Sequence, residues 1–300
     1  TKGAPPPILF TGDLYQIPPI STKDSMQTMI FNSKRFTPKI IELTKIQRTK
    51  DLKFAKALQN IRIGNIDNAT KHIINEILNN KQCEDATILT SLRQRAQDIN
   101  KYHLDKIQSR EWNYKAIITT DASDNDKIMR EIQADFLLTI KEGARVVFCV
   151  SDKQQGYYNG LQGFVTQCQD DCIKVLADDG AEYVVLRRAF QKQIVRERNN
   201  RLRYEVIFEM WQFPLKVAYA ITIHKSQGMS LDSVHIDCEG IFEAGQFYTA
   251  ISRAINPNKL SISNFKKNFV VANAEVVSWQ KANEHLFKKL EYIQDDSLML

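Results

Sequence analysis

Apolar positions recur at helical spacing in the first half of the chain. Near Phe136 the period shortens to two. Phe54, Leu58 and Ile61 lie four and three residues apart and predict an amphipathic helix over 51–62, with Gly64 as its stop. Ile73, Ile74 and Ile77 repeat the pattern over 69–78. The run Ala86–Thr90 reads as a buried strand. Ser91 with Gln94 reads as a capping box, and Leu92, Ala96, Ile99, His103 and Ile107 as one helix face. Strand, cap and helix make half of a βαβ unit. From 136 onward, strands are predicted at 145–150, 162–167, 173–177, 182–187 and 204–211, with Asp178-Asp179-Gly180 as a hairpin turn. Five short strands in this space suggest a small barrel inserted in an α/β domain. The α/β pattern resumes at Pro214, with strands at 219–221, 234–237 and 260–263. A short helix over 245–254 turns Phe247, Tyr248 and Ile251 inward and Arg253 to the opposite side. A long C-terminal helix over 274–293 has Trp279, Leu286 and Leu290 as core, and 295–300 is tail. Near the N-terminus, three prolines in a row exclude regular structure over 1–7. Ile8, Leu9 and Phe10 read as a short buried strand, and 21–41 as a polar connector with one short helix.

Composition narrows the class. Three hundred residues allow about two domains. The apolar share of 43% is that of a soluble globular protein. No apolar run reaches the ~18 residues of a membrane span, and residues 1–7 lack the apolar core of a signal peptide. Five cysteines, at 83, 149, 168, 172 and 238, read as reduced thiols of an intracellular protein rather than as a zinc site. Intracellular here means cytoplasmic in a prokaryote or virus, and nuclear or mitochondrial in a eukaryote. A net charge of +6 permits a polyanionic partner. Much of it falls on Arg187, Arg188, Lys192, Arg196, Arg198, Arg201 and Arg203, which read either as a solvated face or as a DNA contact. Tyr157 and Tyr158 are candidates for stacking on a base, although one of them suits the core better.

The stretch Ala218–Leu231, AYAITIHKSQGMSL, is a buried strand running into a polar turn. Such a turn, at the end of a parallel strand, is where α/β folds place ligands. Lys225, Ser226, Gly228 and the free N–H groups of the turn are the parts a phosphate needs. Two further stretches accompany it, GDLYQIPP at Gly12–Pro19 and GQFYTAISRA at Gly245–Ala254.

In this order the three stretches resemble the RecD/Pif-type class of superfamily 1 DNA helicases. GDLYQIPP is similar to that class's motif III, HKSQG to motif V and GQFYTAISRA to motif VI. Glu42–Thr49 resembles motif IV, with Thr49 where the family has Gln. The resemblance covers essentially the whole chain. It implies an α/β fold of RecA-like P-loop NTPase type. Residues 1–40 would be a remnant of the first RecA-like domain and connector. Residues 41–135 plus 212–300 would form the second motor domain, and 136–211 an inserted SH3-like β-barrel, with Asn159-Gly160-x2-Gly163 as its turn.

The resemblance also implies roles for residues. Gln16 senses the γ-phosphate or its attacking water, an amide being able to donate and accept together. Arg48 and Arg253 are the arginines that reach the phosphate, where a planar guanidinium serves better than lysine. Asp13, Gly228 and Gln246 join the nucleotide side. Thr222, His224, Lys225, Ser226 and Asn159 join the nucleic-acid side. ATP, Mg²⁺ and single-stranded DNA or DNA junctions are the implied cofactors and partners, for a monomer that moves 5′ to 3′ in DNA repair or recombination. No G-x-x-x-x-G-K-[ST] loop occurs in the 300 residues, and no Walker B carboxylate pair. The nearest glycine cluster, Gly156, Gly160 and Gly163, is followed by no Lys-Ser or Lys-Thr. The expectation is therefore the C-terminal part of a helicase, inactive in hydrolysis without an N-terminal half that holds phosphate and metal. The alternative is a non-catalytic DNA-binding or interaction module derived from a helicase. The retention of Gln16, Arg48 and Arg253 argues against it.

Overall fold

The computed structural model of the chain describes residues 9–18, 29–34, 36–119, 132, 134–198 and 201–290. Ile8, Pro19, residues 21–28 and 35 of the 21–41 connector, the end of the 274–293 helix and the 295–300 tail lie outside the described residues. In chain order, the first elements are β1 (Ile40–Leu43), α1 (Leu52–Arg62), α2 (Asn68–Asn79), β2 (Thr87–Thr90) and α3 (Arg93–Asp105). The antiparallel region holds β3 (Glu111–Lys115), β4 (Ile117–Ile118), β5 (Leu137–Lys141), β6 (Arg145–Phe148), β7 (Gln162–Cys168), β8 (Cys172–Ala177), β9 (Glu182–Leu186), β10 (Arg188–Arg198), β11 (Arg201–Gln212) and β12 (Leu215–Val217). The chain then forms β13 (Ala220–Thr222), β14 (Val234–Asp237), α4 (Gln246–Ile251), β15 (Leu260–Ser263), α5 (Ala274–Ala282) and β16 (Phe287–Leu290). No helix among the described residues is long and apolar enough to cross a membrane.

The chain divides into two compact units. One comprises Thr1–Ile74, Ile241–Thr249 and Lys266–Leu300, and the other comprises Asn75–Gly240 and Ala250–Phe265. In the first unit, α1 begins where the Asp51 carboxylate accepts the Phe54 N–H at 2.8 Å. Its apolar stripe, Phe54, Ala57, Leu58 and Ile61, is buried. The sequence places a helix over 274–293, but α5 ends at Ala282, because the Asn283 amide turns back onto the Trp279 carbonyl at 2.8 Å. The chain returns as β16, parallel to β1 with Ile40 opposite Phe287. Leu286 is consequently exposed, whereas Trp279 stacks on Phe31 with ring centroids 4.7 Å apart. Leu9 and Phe10 form no strand and are 86% and 59% exposed. A short apolar triplet specifies burial only where another element covers it.

The second unit is built on a parallel sheet of order β13-β2-β14-β15. Its inward residues Leu89, Ile221, Val234, Ile236, Leu260 and Ile262 are all buried, as expected of a sheet covered on both faces. β13 is an edge strand, and its exposed ladder groups are satisfied by a side chain. The Asn100 amide donates to the Ala220 carbonyl and accepts the Ala220 N–H, both at 2.8 Å. His103, one turn on, stacks on Tyr219 with centroids 4.4 Å apart. The expected capping box at Ser91 and Gln94 does not form. The Ser91 hydroxyl donates to the Glu239 carbonyl at 2.8 Å, Gln94 bonds Asp98, and Leu92 occupies the cap position without a side-chain bond.

A five-stranded antiparallel sheet, β12-β6-β7-β8-β9, encloses a separate core around Ile140, Val146, Phe148, Ile173 and Phe213. Tyr157 belongs to that core, while Tyr158 is 49% exposed. The segment read as a basic run covers strand β10 and the start of β11, which pairs with β10 along its length.

Burial sets the chemistry of the thiols in this unit. It pushes Cys238 up to about 12, and Cys149 and Cys168 up to about 11. The fold thus holds these protons longer than the unfolded chain does, so this contribution is complete below pH ~8.5 and stability falls as pH rises from there towards 11–12. At pH 8, iodoacetamide should label the half-buried Cys83 and reach Cys149, Cys168 and Cys238 only after unfolding. Fast labelling of those three in the native chain would contradict their placement.

Candidate nucleotide and nucleic-acid site

In the first unit, the GDLYQIPP turn is held through Asp13. Its backbone carbonyl accepts the Gln16 N–H at 3.2 Å. Its carboxylate accepts the Tyr15 N–H at 3.2 Å, Arg62 at 3.1 Å, the Tyr248 hydroxyl at 2.9 Å and, more weakly, the Gln16 amide at 3.4 Å. Arg62 also reaches Glu42 at 3.4 Å and covers the Tyr15 ring, 4.4 Å from its centroid. Tyr248 and Thr249 come from the first turns of α4, and the Thr249 hydroxyl accepts the Ile17 N–H at 3.1 Å. The turn therefore packs on the opening of the GQFYTAISRA stretch. At that opening Gly245 has φ +80°, and a Cβ built there would lie 2.4 Å from the Tyr15 carbonyl oxygen.

Arg48 is half-buried in the same unit, and burial lowers its pKa, opposed by the Tyr248 phenol. Gln246 is fully buried. Its Oε1 accepts the Phe242 and Glu243 N–H groups at 3.1 and 3.3 Å, and its Nε2 is a buried donor without a partner among the described residues.

In the second unit, the HKSQG turn follows β13. Ser226 is fully buried, its hydroxyl donating to the Ile223 carbonyl at 2.7 Å, so this side chain shapes the turn. The Thr222 hydroxyl accepts the Lys225 N–H at 3.3 Å. The Lys225 ammonium is exposed and paired with Asp135 at 2.9 Å, and His224 is partly exposed. Gly228 lies beside Asn159, whose Nδ2 would be 3.7 Å from a Cβ there. Asn159 Oδ1 is buried and has no partner among the described residues.

Arg253 is not on the open side of a helix as the sequence suggested. Helix α4 ends at Ile251, so Arg253 sits in the turn beyond it and is 1% exposed. Its guanidinium donates to the Met229 carbonyl at 3.3 Å and to the Ser252 hydroxyl at 2.9 Å. Leu231 and Ala254 form a parallel bridge alongside. The HKSQG turn and Arg253 are thereby one body.

Sequence reasoning missed a crevice of about 580 Å³ at the carboxyl ends of β2 and β14, lined by Leu92, Arg93, Arg95, Ile99, Tyr102 and Glu239. Strand order would have pointed to it, because the sheet changes direction between β2 and β14. Arg95 pairs there with the buried Asp237. Burial works against the Asp237 carboxylate, but Asn264, the Glu239 N–H and Arg95 outweigh it and hold its pKa below its ordinary value.

No family model matches the chain. It is 30% identical over 315 aligned residues to the ATP-dependent DNA helicase Pif1 of Campylobacter jejuni, covering 95% of this chain and 70% of that protein. The structure of unliganded Pif1 from Bacteroides sp. matches 91% of this chain and 66% of its own length with a TM-score of 0.77 and 28% identity. Bacteroides Pif1 bound to single-stranded DNA matches the same share of the chain with a TM-score of 0.62 and 29% identity. The chain spans less than half of the length of the vertebrate Pif1 proteins it matches. The parallel sheet and the mixed α/β fold are those of a RecA-like motor, and the chain belongs to the Pif1 family of DNA helicases.

Proposed function

We propose that this chain supplies the DNA-gripping and phosphate-sensing part of an ATP-dependent helicase that moves 5′ to 3′ along single-stranded DNA. The observation that carries the reading is the bond between Arg253 and the Met229 carbonyl, which ties the HKSQG turn to a buried guanidinium. A change at either one is transmitted to the other through packed backbone. Residues 1–40 belong to the first motor domain, 41–135 with 212–300 form the second, and 136–211 are an SH3-like insert.

Thr222, His224, Lys225, Ser226 and Asn159 serve the DNA side. Ser226 acts by setting the turn, and Lys225 by exchanging Asp135 for a phosphate. Gln16, Arg48 and Arg253 act on the γ-phosphate, with Asp13 holding Gln16 in place. Gln246 Nε2, without a partner among the described residues, is a donor that a nucleotide oxygen or ring nitrogen would satisfy, and Gly228 leaves its own backbone open. ATP supplies the phosphoryl group to be transferred. Among the described residues, no cluster of three acidic, His or Cys side chains is placed to hold Mg²⁺. Without a Walker A loop in these 300 residues, the chain alone does not hydrolyse ATP.

The test is binding of fluorescent oligo-dT across a salt series. Lys225→Ala should weaken binding ~5–10-fold and lower the salt slope by about one. Unchanged affinity and slope would remove Lys225 from the DNA side.

A further inference from the structure

The β10–β11 ribbon separates its side chains by face. Gln193 pairs with Val206, Val195 with Tyr204 and Glu197 with Leu202, so these six share one face. On it Val195, Leu202, Tyr204 and Val206 are 52%, 67%, 78% and 39% exposed. The other face carries Ile194 opposite Glu205 and Arg196 opposite Arg203, with Lys192 at the bulge. Between residues 187 and 203 the sequence holds seven basic residues and one acidic, a local charge of +6, as large as that of the entire chain.

The Arg196–Arg203 pair is the informative feature. Like charges directly opposite in a ladder destabilise the strands that carry them. Both arginines are exposed, and Glu205, 3.0 Å from Arg196, offsets one of the two. Holding two guanidinium groups side by side on an open ribbon does nothing for the fold. An anion that bridges them turns the repulsion into attraction, and phosphodiester oxygens accept from guanidinium in the required fork geometry.

We propose that this cationic face binds the sugar-phosphate backbone of duplex DNA, which rests on the DNA-acting reading above. Three features favour duplex over single strand. Beyond the bulge the described side chains of this face, Ile194, Arg196, Arg203 and Glu205, include no aromatic ring, whereas single-strand binding relies on stacking platforms. The exposed aromatic residue of the ribbon's outer half, Tyr204, is on the opposite face. Beyond the bulge the paired strands run for six residues, ~20 Å, and a two-stranded ribbon of this width fits a major groove.

The test compares the whole chain with an Arg196→Glu/Arg203→Glu variant by fluorescence anisotropy. The probes are a blunt duplex of about 20 base pairs and an oligo-dT of similar length, over a salt series. Duplex affinity should fall at least ~10-fold and its salt slope by about two, while oligo-dT affinity changes less than about twofold. Should charge reversal disturb the ribbon, Arg196→Gln/Arg203→Gln gives the same direction at smaller amplitude. Unchanged duplex binding would make this a solvated face and overturn the inference, while leaving the helicase reading intact. An equal loss on both probes would overturn the duplex assignment. A larger duplex loss from Val195→Ser/Tyr204→Ser would move the surface to the apolar face and overturn it too. Binding to neither probe by the unaltered chain would instead defeat the DNA-acting reading itself.

Discussion

Gly245→Ala is expected to lower the thermal midpoint of the unit that contains it by roughly 5–15 °C. Two costs add. A φ of +80° strains any residue with a Cβ, by about 1–2 kcal/mol. The Cβ would also meet the Tyr15 carbonyl oxygen at 2.4 Å and that of Gln16 at 3.1 Å. Those atoms are backbone of the GDLYQIPP turn, so relief requires the turn to move, at about 1–3 kcal/mol more. The movement would lengthen the Tyr248–Asp13 and Thr249–Ile17 bonds together. Gly12→Ala, in the same turn but with nothing within 4 Å of its Cβ, is the control and should be near neutral. Equal, small shifts for both variants in thermal melts would show that the close approach does not exist.

Gly160→Ala is expected to cost a similar ~2–5 kcal/mol, and to be felt at the HKSQG turn. Its φ is +98°, and the new Cβ would lie 2.9 Å from both N and O of Ser230. The neighbouring Asn159 lies against Gly228, so the antiparallel region and the turn share one contact. Displacing Ser230 strains Met229, whose carbonyl holds Arg253. Oligo-dT affinity should therefore fall along with stability. Gly180→Ala separates the two costs, because Gly180 has φ +85° but open space around it, and it should show the backbone strain alone, ~1–2 kcal/mol. Loss of stability without any change in DNA affinity would disconnect residue 160 from the turn.

The parts of the fold that were legible in the sequence are those fixed by local pattern. The parallel strands β2, β13, β14 and β15 read correctly because a sheet buried on both faces requires short unbroken apolar runs. α1 was marked by its spacing and by Gly64 just beyond its end. What escaped was decided by partners distant in sequence. The leucines at 286 and 290 keep helical spacing with Trp279, yet Asn283 ends the helix and β1 recruits the next residues as a strand. Ser91 and Gln94 have the spacing of a cap, but Glu239 takes the hydroxyl. Arg density hid strand β10, since charge says nothing of which strand it pairs with.

The site shows the same division. Residue types and spacing identified the three motifs. The burial of Arg253 and Ser226, the docking of the Gly12–Ile17 turn on Tyr248 and Thr249, and the strand-like role of Asn100 depend on tertiary contacts that no spacing encodes.

The central claim is that this chain grips DNA and senses phosphate but does not itself hold the nucleotide for cleavage. Steady-state ATP hydrolysis by the purified 300-residue chain, with Mg²⁺ and saturating oligo-dT, tests it most directly, with Arg253→Ala as the control. Hydrolysis at background, alongside salt-sensitive binding of oligo-dT, is the predicted result. DNA-stimulated hydrolysis that needs Mg²⁺ and is lost in Arg253→Ala would contradict the account and place a complete nucleotide site within these residues.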